Sequence, residues 1–160
     1  MTDKSKLIAA ILVAALGYFV DIYDLLLFSI VRVSSLKDLG LTGEELTNTG
    51  IFLLDVQMCG MLIGGIAWGI WGDRKGRLSV LFGSILMYSI ANIANGLTHS
   101  VTGYAVWRFV AGLGLAGELG AGITLVAELM PKGKRGYATM LVASVGISGA
   151  VVAYFVSDLF

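Results

Sequence analysis

The sequence predicts an all-α membrane protein with five transmembrane helices. Hydrophobic residues make up 57% of the 160-residue chain, and the mean hydropathy is +0.86. Apolar stretches long enough to cross a bilayer recur five times, and the lysines and arginines between them collect on one side. A soluble domain of this size has no way to hide so much apolar surface. Proline occurs once against 22 glycines, which excludes a Pro-rich linker and fits helices packed closely in lipid. The formal net charge of zero offers no electrostatic pull toward nucleic acid. The single cysteine, Cys59, excludes an internal disulfide and reads as a small core residue. His99 alone builds no metal site, and no cofactor is expected.

Span one covers about 7–31, roughly 37 Å of helix, and carries Asp21 and Asp24. The leading Met1-Thr2-Asp3-Lys4-Ser5-Lys6 could open a signal peptide. The apolar run after it is too long, is interrupted by acids and lacks a cleavage site, so it reads as a membrane helix. The polar segment 32–49 is a candidate for a short surface helix. Span two, about 50–72, contains Asp55 and runs directly into the tight turn Asp73-Arg74-Lys75-Gly76-Arg77. Span three, about 78–97, carries no charge and has Asn92 and Asn95 near its far end. Thr98-His99-Ser100 forms the next turn, with Ser100 or Thr102 as helix cap. Span four, about 103–129, carries Arg108, Glu118 and Glu128 and is ended by Pro131. Span five, about 137–157, is again free of charge. Five spans put the C-terminus on the side opposite the N-terminus, where the last helix stops; the chain therefore reads as a fragment or shortened protein, one partial domain over 1–160.

Orientation follows from the basic residues. Lys4, Lys6, Arg74, Lys75, Arg77, Lys132, Lys134 and Arg135 fall on one side, against Arg32 and Lys37 on the other. This positive-inside pattern predicts a multi-pass protein of the cell inner or plasma membrane with a cytoplasmic N-terminus.

Charges inside the spans point to function. An ionised side chain at a bilayer centre costs about 2.5 kcal/mol or more, so such groups face a bundle interior or a watery cavity and usually pair. Asp21 and Asp24, three apart, share a helix face, where mutual repulsion favours a proton, a cation or a basic partner. Arg108 and Glu118 lie about 15 Å apart along one helix and about 80° apart around it, so both can border one cavity at different depths. Arg108 can meet Asp24 or an anionic substrate, and Glu118 can exchange protons nearer the midplane. The plainer alternative is that these groups only pair to hold helices together. Asp55 lies close enough to an outer end to reach the surface.

Span two contains Gly60-x-x-x-Gly64 and Gly65-x-x-x-Gly69. Span four contains Gly112, Gly114, Gly117, Gly120 and Gly122. Residues without side chains let backbones approach closely, and static packing is their simplest use. Trp68, Trp71 and Tyr137 read as anchors at the inner interface, and Tyr104 and Trp107 at the outer one.

The run Gly69-Ile70-Trp71-Gly72-Asp73-Arg74-Lys75-Gly76-Arg77 resembles the major facilitator superfamily signature between helices two and three, G-x-L-a-D-r-x-G-r-k. Trp71 and Gly72 depart from the usual Leu and Ala, and Leu78 replaces a common basic residue. Arg108-x-x-x-Gly112-x-Gly114-x-x-Gly117-Glu118 is similar to the family's helix-four motif. Glu128-x-x-Pro131-x-x-x-Arg135-Gly136 is similar to its helix four-to-five signature. The resemblance implies the N-terminal half of a transporter in which two six-helix halves rock about a central cavity. It implies that Asp73 sits at the start of helix three and acts across the seam to the other half. It also implies that Arg77 pairs with Glu128 and that Arg108 lies near the substrate. Asp21-x-x-Asp24 with Gly117-Glu118 looks most like proton-coupled carboxylate carriers, with sugar porters as an alternative.

The function expected is secondary active transport, not enzyme chemistry: no nucleophile–histidine pair or metal cluster is present. The substrate is a small organic solute, a carboxylate, moved with protons. Coupling falls to one of Asp21, Asp24 and Glu118, and anion binding to Arg108. The partners are the bilayer, the solute, protons, and a C-terminal half or equivalent chain. A non-transporting membrane fragment or assembly partner is the alternative from a different class.

Overall fold

The computed structural model describes residues 3–131 and 133–157, without the side chains at 3–7, 9, 10 and 157. Met1, Thr2, Lys132, residues 158–160 and the side chains of Lys4 and Lys6 lie outside that description. The chain forms five helices: α1 (Asp3–Asp38), α2 (Gly43–Lys75), α3 (Arg77–Gly96), α4 (Val101–Leu129) and α5 (Arg135–Ser157). All five are long and apolar enough to cross a membrane. At 20 residues α3 is about 30 Å long, close to the hydrocarbon thickness; α1 and α2, at 36 and 33 residues, project beyond it.

The polar segment after span one holds no separate helix. α1 runs through Arg32 to Asp38 and α2 starts at Gly43, so the charged residues extend two long helices beyond the apolar layer. The turn between them is a Schellman stop. Leu41 N–H donates to Leu36 O at 3.1 Å and Gly40 N–H to Lys37 O at 2.9 Å. Gly40 takes φ +86°, which a side chain would resist, and Leu36 and Leu41 bury together against Phe28, Leu53 and Tyr104. At the start of α4, Ser100 is the cap, its hydroxyl accepting from Gly103 N–H at 3.2 Å.

α4 is the central helix and packs against all four others; α1 packs mainly against α5. Glycine and other small residues make this possible. A Cβ on Gly60 would strike the Phe109 carbonyl, and one on Gly112 the Gln57 carbonyl, so α2 and α4 meet backbone to backbone. On the next face, a Cβ on Gly114 would lie 2.8 Å from Tyr88 N, and one on Gly117 2.6 Å from Ser84 Cβ, setting the α3–α4 distance. The second pattern in α2 behaves differently: Gly65 and Gly69 face open space.

Leu78, Phe82, Leu86, Ile90 and Ile93 form an exposed apolar stripe along α3, as expected where lipid is the solvent. Cys59 is exposed, so the small-core-residue reading does not hold: it points away from the α2 face that carries Gly60 and Gly64. Tyr104 is buried, and Trp107 packs beside buried Ala111 and Leu115. Trp68 turns inward, donating its indole N–H to Leu113 O at 2.7 Å. These three rings are therefore packing groups; Trp71 and Tyr137 are exposed.

Enlarging a contact glycine should break the α2–α4 seam. Gly112→Leu is expected to cost about 1–3 kcal/mol or more, lowering the thermal midpoint measured in detergent, whereas Gly65→Ala should leave it nearly unchanged.

Candidate functional site

Asp21 and Asp24 lie three residues apart on α1, about 60° around the helix. That offset sends them to different places. Asp21 is fully buried and, with Gly17, Tyr18 and Glu118, lines a small cavity of about 10 Å³, the size of a single water. Asp24 instead lines a larger cavity of about 260 Å³ with Asn92, Asn95, Tyr104 and Arg108. Arg108 and Glu118 are both buried, at 7% and 9% exposure, but line separate cavities. The common cavity that their azimuths suggested is thus divided. Asp55 is exposed on α2.

Arg108 organises the larger cavity. Its guanidinium carbon sits 3.4 Å from the Phe28 ring centroid and 5.9 Å from that of Tyr104. Its Nη1 faces Asp24 Oδ2 at 3.8 Å, an ion pair too long to be a hydrogen bond. Among the described residues, Arg108 Nη1, Asp24 Oδ2, both Asp21 oxygens, both Gln57 amide atoms and the Tyr88 hydroxyl are buried without a hydrogen-bond partner. These groups come from α1, α2, α3 and α4. Interiors rarely leave so much hydrogen-bonding capacity unmet, and where they do, water or a ligand usually meets it. Sequence reading passed over Gln57 and Tyr88 because it weighed mainly the charged residues of the spans, and these two carry no charge.

The second cluster lies at the end of the bundle with the basic turns. Asp73 occupies the last turn of α2, which corrects its expected place at the start of helix three. α3 begins only at Arg77, and its cap position, Gly76, has φ +89° and no side-chain cap. An acid beside the negative end of a helix dipole is unfavourable alone. Arg77 offsets this by pairing with Asp73 at 2.7 Å. Arg77 also reaches Glu128 Oε1, on the last turn of α4, at 3.5 Å. One guanidinium thus joins the ends of α2, α3 and α4. Arg135 donates to Met130 O at 3.2 Å, tying the start of α5 to the chain leaving α4. Arg74 is exposed, and a Cβ on Gly69 would meet open space.

Fold and site together define a polytopic helical membrane protein with sheltered ionisable groups in its bundle. The Major Facilitator Superfamily model matches residues 7–160. The chain belongs to that family. It is 33% identical over 145 residues to the niacin transporter NiaP of Acinetobacter baylyi, covering 91% of this chain and 32% of that protein. To the gentisate transporter of Corynebacterium glutamicum it is 29% identical over 151 residues, covering 94% and 33%. To a probable inorganic phosphate transporter, 1-8, of Oryza sativa subsp. japonica it is 33% identical over 171 residues, covering 94% and 31%. The chain spans about a third of the length of these relatives.

Gly76→Val should cost about 1–3 kcal/mol by forcing a β-branched residue into a positive-φ, extended conformation essentially reserved for glycine. Arg77→Ala should cost up to about 1 kcal/mol, since its partners are well exposed. Thermal unfolding in detergent measures both.

Proposed function

We propose that the protein carrying this chain moves a small organic anion, a carboxylate, across the membrane together with protons by alternating access. In this reading residues 1–160 supply five helices of the first six-helix domain, and a second half completes the cavity. One observation carries the reading: a buried arginine with an unmet Nη1 lies on a cavity of about 260 Å³ with Asp24, and about one turn along α1 from Asp24 lies Asp21, fully buried and unpartnered. Niacin and gentisate, named for two of the relatives, are carboxylates, and phosphate, named for the third, is also an oxyanion.

The two cavities divide the work. Arg108 supplies the fixed positive charge that an oxyanion needs, with Asp24 as its counter-charge when the cavity is empty. Asp21 and Glu118 face the small cavity, with Asp24 and the Tyr18 and Tyr88 hydroxyls as neighbouring titratable groups. An unpaired carboxylate in low dielectric costs several kcal/mol, and a proton is the smallest group that removes the cost. Loading substrate at Arg108 adds one negative charge, and a proton at Asp21 or Glu118 offsets it before the domain reorients. Arg74, Lys75 and Arg77 at the α2–α3 turn share one end of the bundle with Arg135, through the contact of Arg77 with Glu128. That end is read as cytoplasmic, in the inner or plasma membrane.

The test uses the full reading frame in proteoliposomes, with nicotinate, gentisate and inorganic phosphate as labelled solutes. An inward proton gradient should drive uptake of at least one of them. Arg108→Lys should raise its KM by about tenfold or more through loss of the planar fork, and Glu118→Gln with Asp21→Asn should abolish acceleration by the gradient. Uptake that keeps its proton dependence after both acids are removed would sink the coupling.

A further inference from the structure

We infer that Asn95 is a positioning residue that presents Arg108 to the larger cavity as an end-on, two-donor fork. A guanidinium offers two edges for bidentate binding, Nε with Nη2 and Nη1 with Nη2. Asn95 lies in the last turn of α3 and is 6% exposed. Its amide is assigned with the oxygen toward Arg108, the orientation in which donors meet an acceptor, and it accepts from both Nε and Nη2 at 3.2 Å. That takes up the side-on edge. Phe28 covers one face of the same group. The end carrying Nη1 is left, buried and without a hydrogen-bond partner among the described residues.

The gap to Asp24 gives this arrangement a purpose. Arg108 Nη1 and Asp24 Oδ2 stand 3.8 Å apart, and neither has another hydrogen-bond partner among the described residues. A free arginine side chain would close about 1 Å to gain a charge-assisted hydrogen bond. Asn95 and Phe28 hold the guanidinium short of that contact. Asp24 therefore acts as a loose counter-charge, and the fork remains available to the planar oxygens of an incoming carboxylate. The identity of the occupant rests on the transport reading; the positioning of Arg108 does not.

The experiment reads Arg108 without substrate. The full-length protein in proteoliposomes is treated with phenylglyoxal, and modification of Arg108 is followed by mass spectrometry. Wild-type Arg108 should react. Asn95→Ala should slow the reaction about tenfold as the released guanidinium closes onto Asp24, and adding Asp24→Asn should restore it. Asn95→Ser, smaller but polar, should show the same slowing and guards against a folding defect in the alanine variant. An unchanged rate in Asn95→Ala and Asn95→Ser would overturn the proposal, as would slowing that Asp24→Asn does not relieve, or an arginine inert in the wild type. If these rates behave as expected but Arg108→Lys leaves uptake of nicotinate, gentisate and phosphate unchanged, the transport reading fails and the positioning of Arg108 stands.

Discussion

The architecture depends on how closely other helices can approach α4. Lipid chains are as apolar as leucine, so burial alone does not drive helices together, and close van der Waals contact has to do it. α4 provides that contact in several directions. Gly112 meets the α2 backbone at Gln57, Gly114 meets the α3 backbone at Tyr88, Gly117 faces Ser84 and Trp68, and Gly122 lies against Ala14 of α1. The helix at the centre of the bundle also carries the buried Arg108 and Glu118. Backbone contact around α4 therefore fixes both the shape of the bundle and the depth of its charges.

That packing keeps polar groups away from lipid without satisfying all of them. Asp21, Gln57, Tyr88 and Arg108 keep unmet donors or acceptors in a well-packed interior. A static protein would gain stability by replacing such groups with apolar ones of similar size. Keeping them is consistent with a site whose missing partners arrive and leave. The division into a one-water cavity beside Asp21 and Glu118 and a larger one beside Asp24 and Arg108 separates the proposed proton site from the proposed anion site, by about one turn along α1 and about 15 Å along α4.

The cluster at the basic end obeys different physics. Asp73 and Glu128 are exposed and Arg77 is half-buried, so their pairs are screened and each contributes little to stability. Their effect is geometric, because Arg77 links three helix ends at the sharp turn that Gly76 permits.

Much of this was legible in the sequence. Helix number follows from five apolar runs, since a backbone crossing lipid has to satisfy its own hydrogen bonds and helices do so locally. The shared side of the basic turns follows from charge, and the family from short motifs around Gly76 and Glu118. Sequence reading misplaced Asp73, because a helix end shifts by a turn without changing composition. It misjudged Trp68, Tyr104 and Cys59, because which way a side chain faces on a span apolar all round depends on its neighbours. It joined Asp21 with Asp24 and Arg108 with Glu118, where the bundle separates both pairs. Only the tertiary structure could bring Asn95 of α3 and Phe28 of α1 onto Arg108 of α4, because contacts between distant segments depend on crossing positions that local periodicity does not encode.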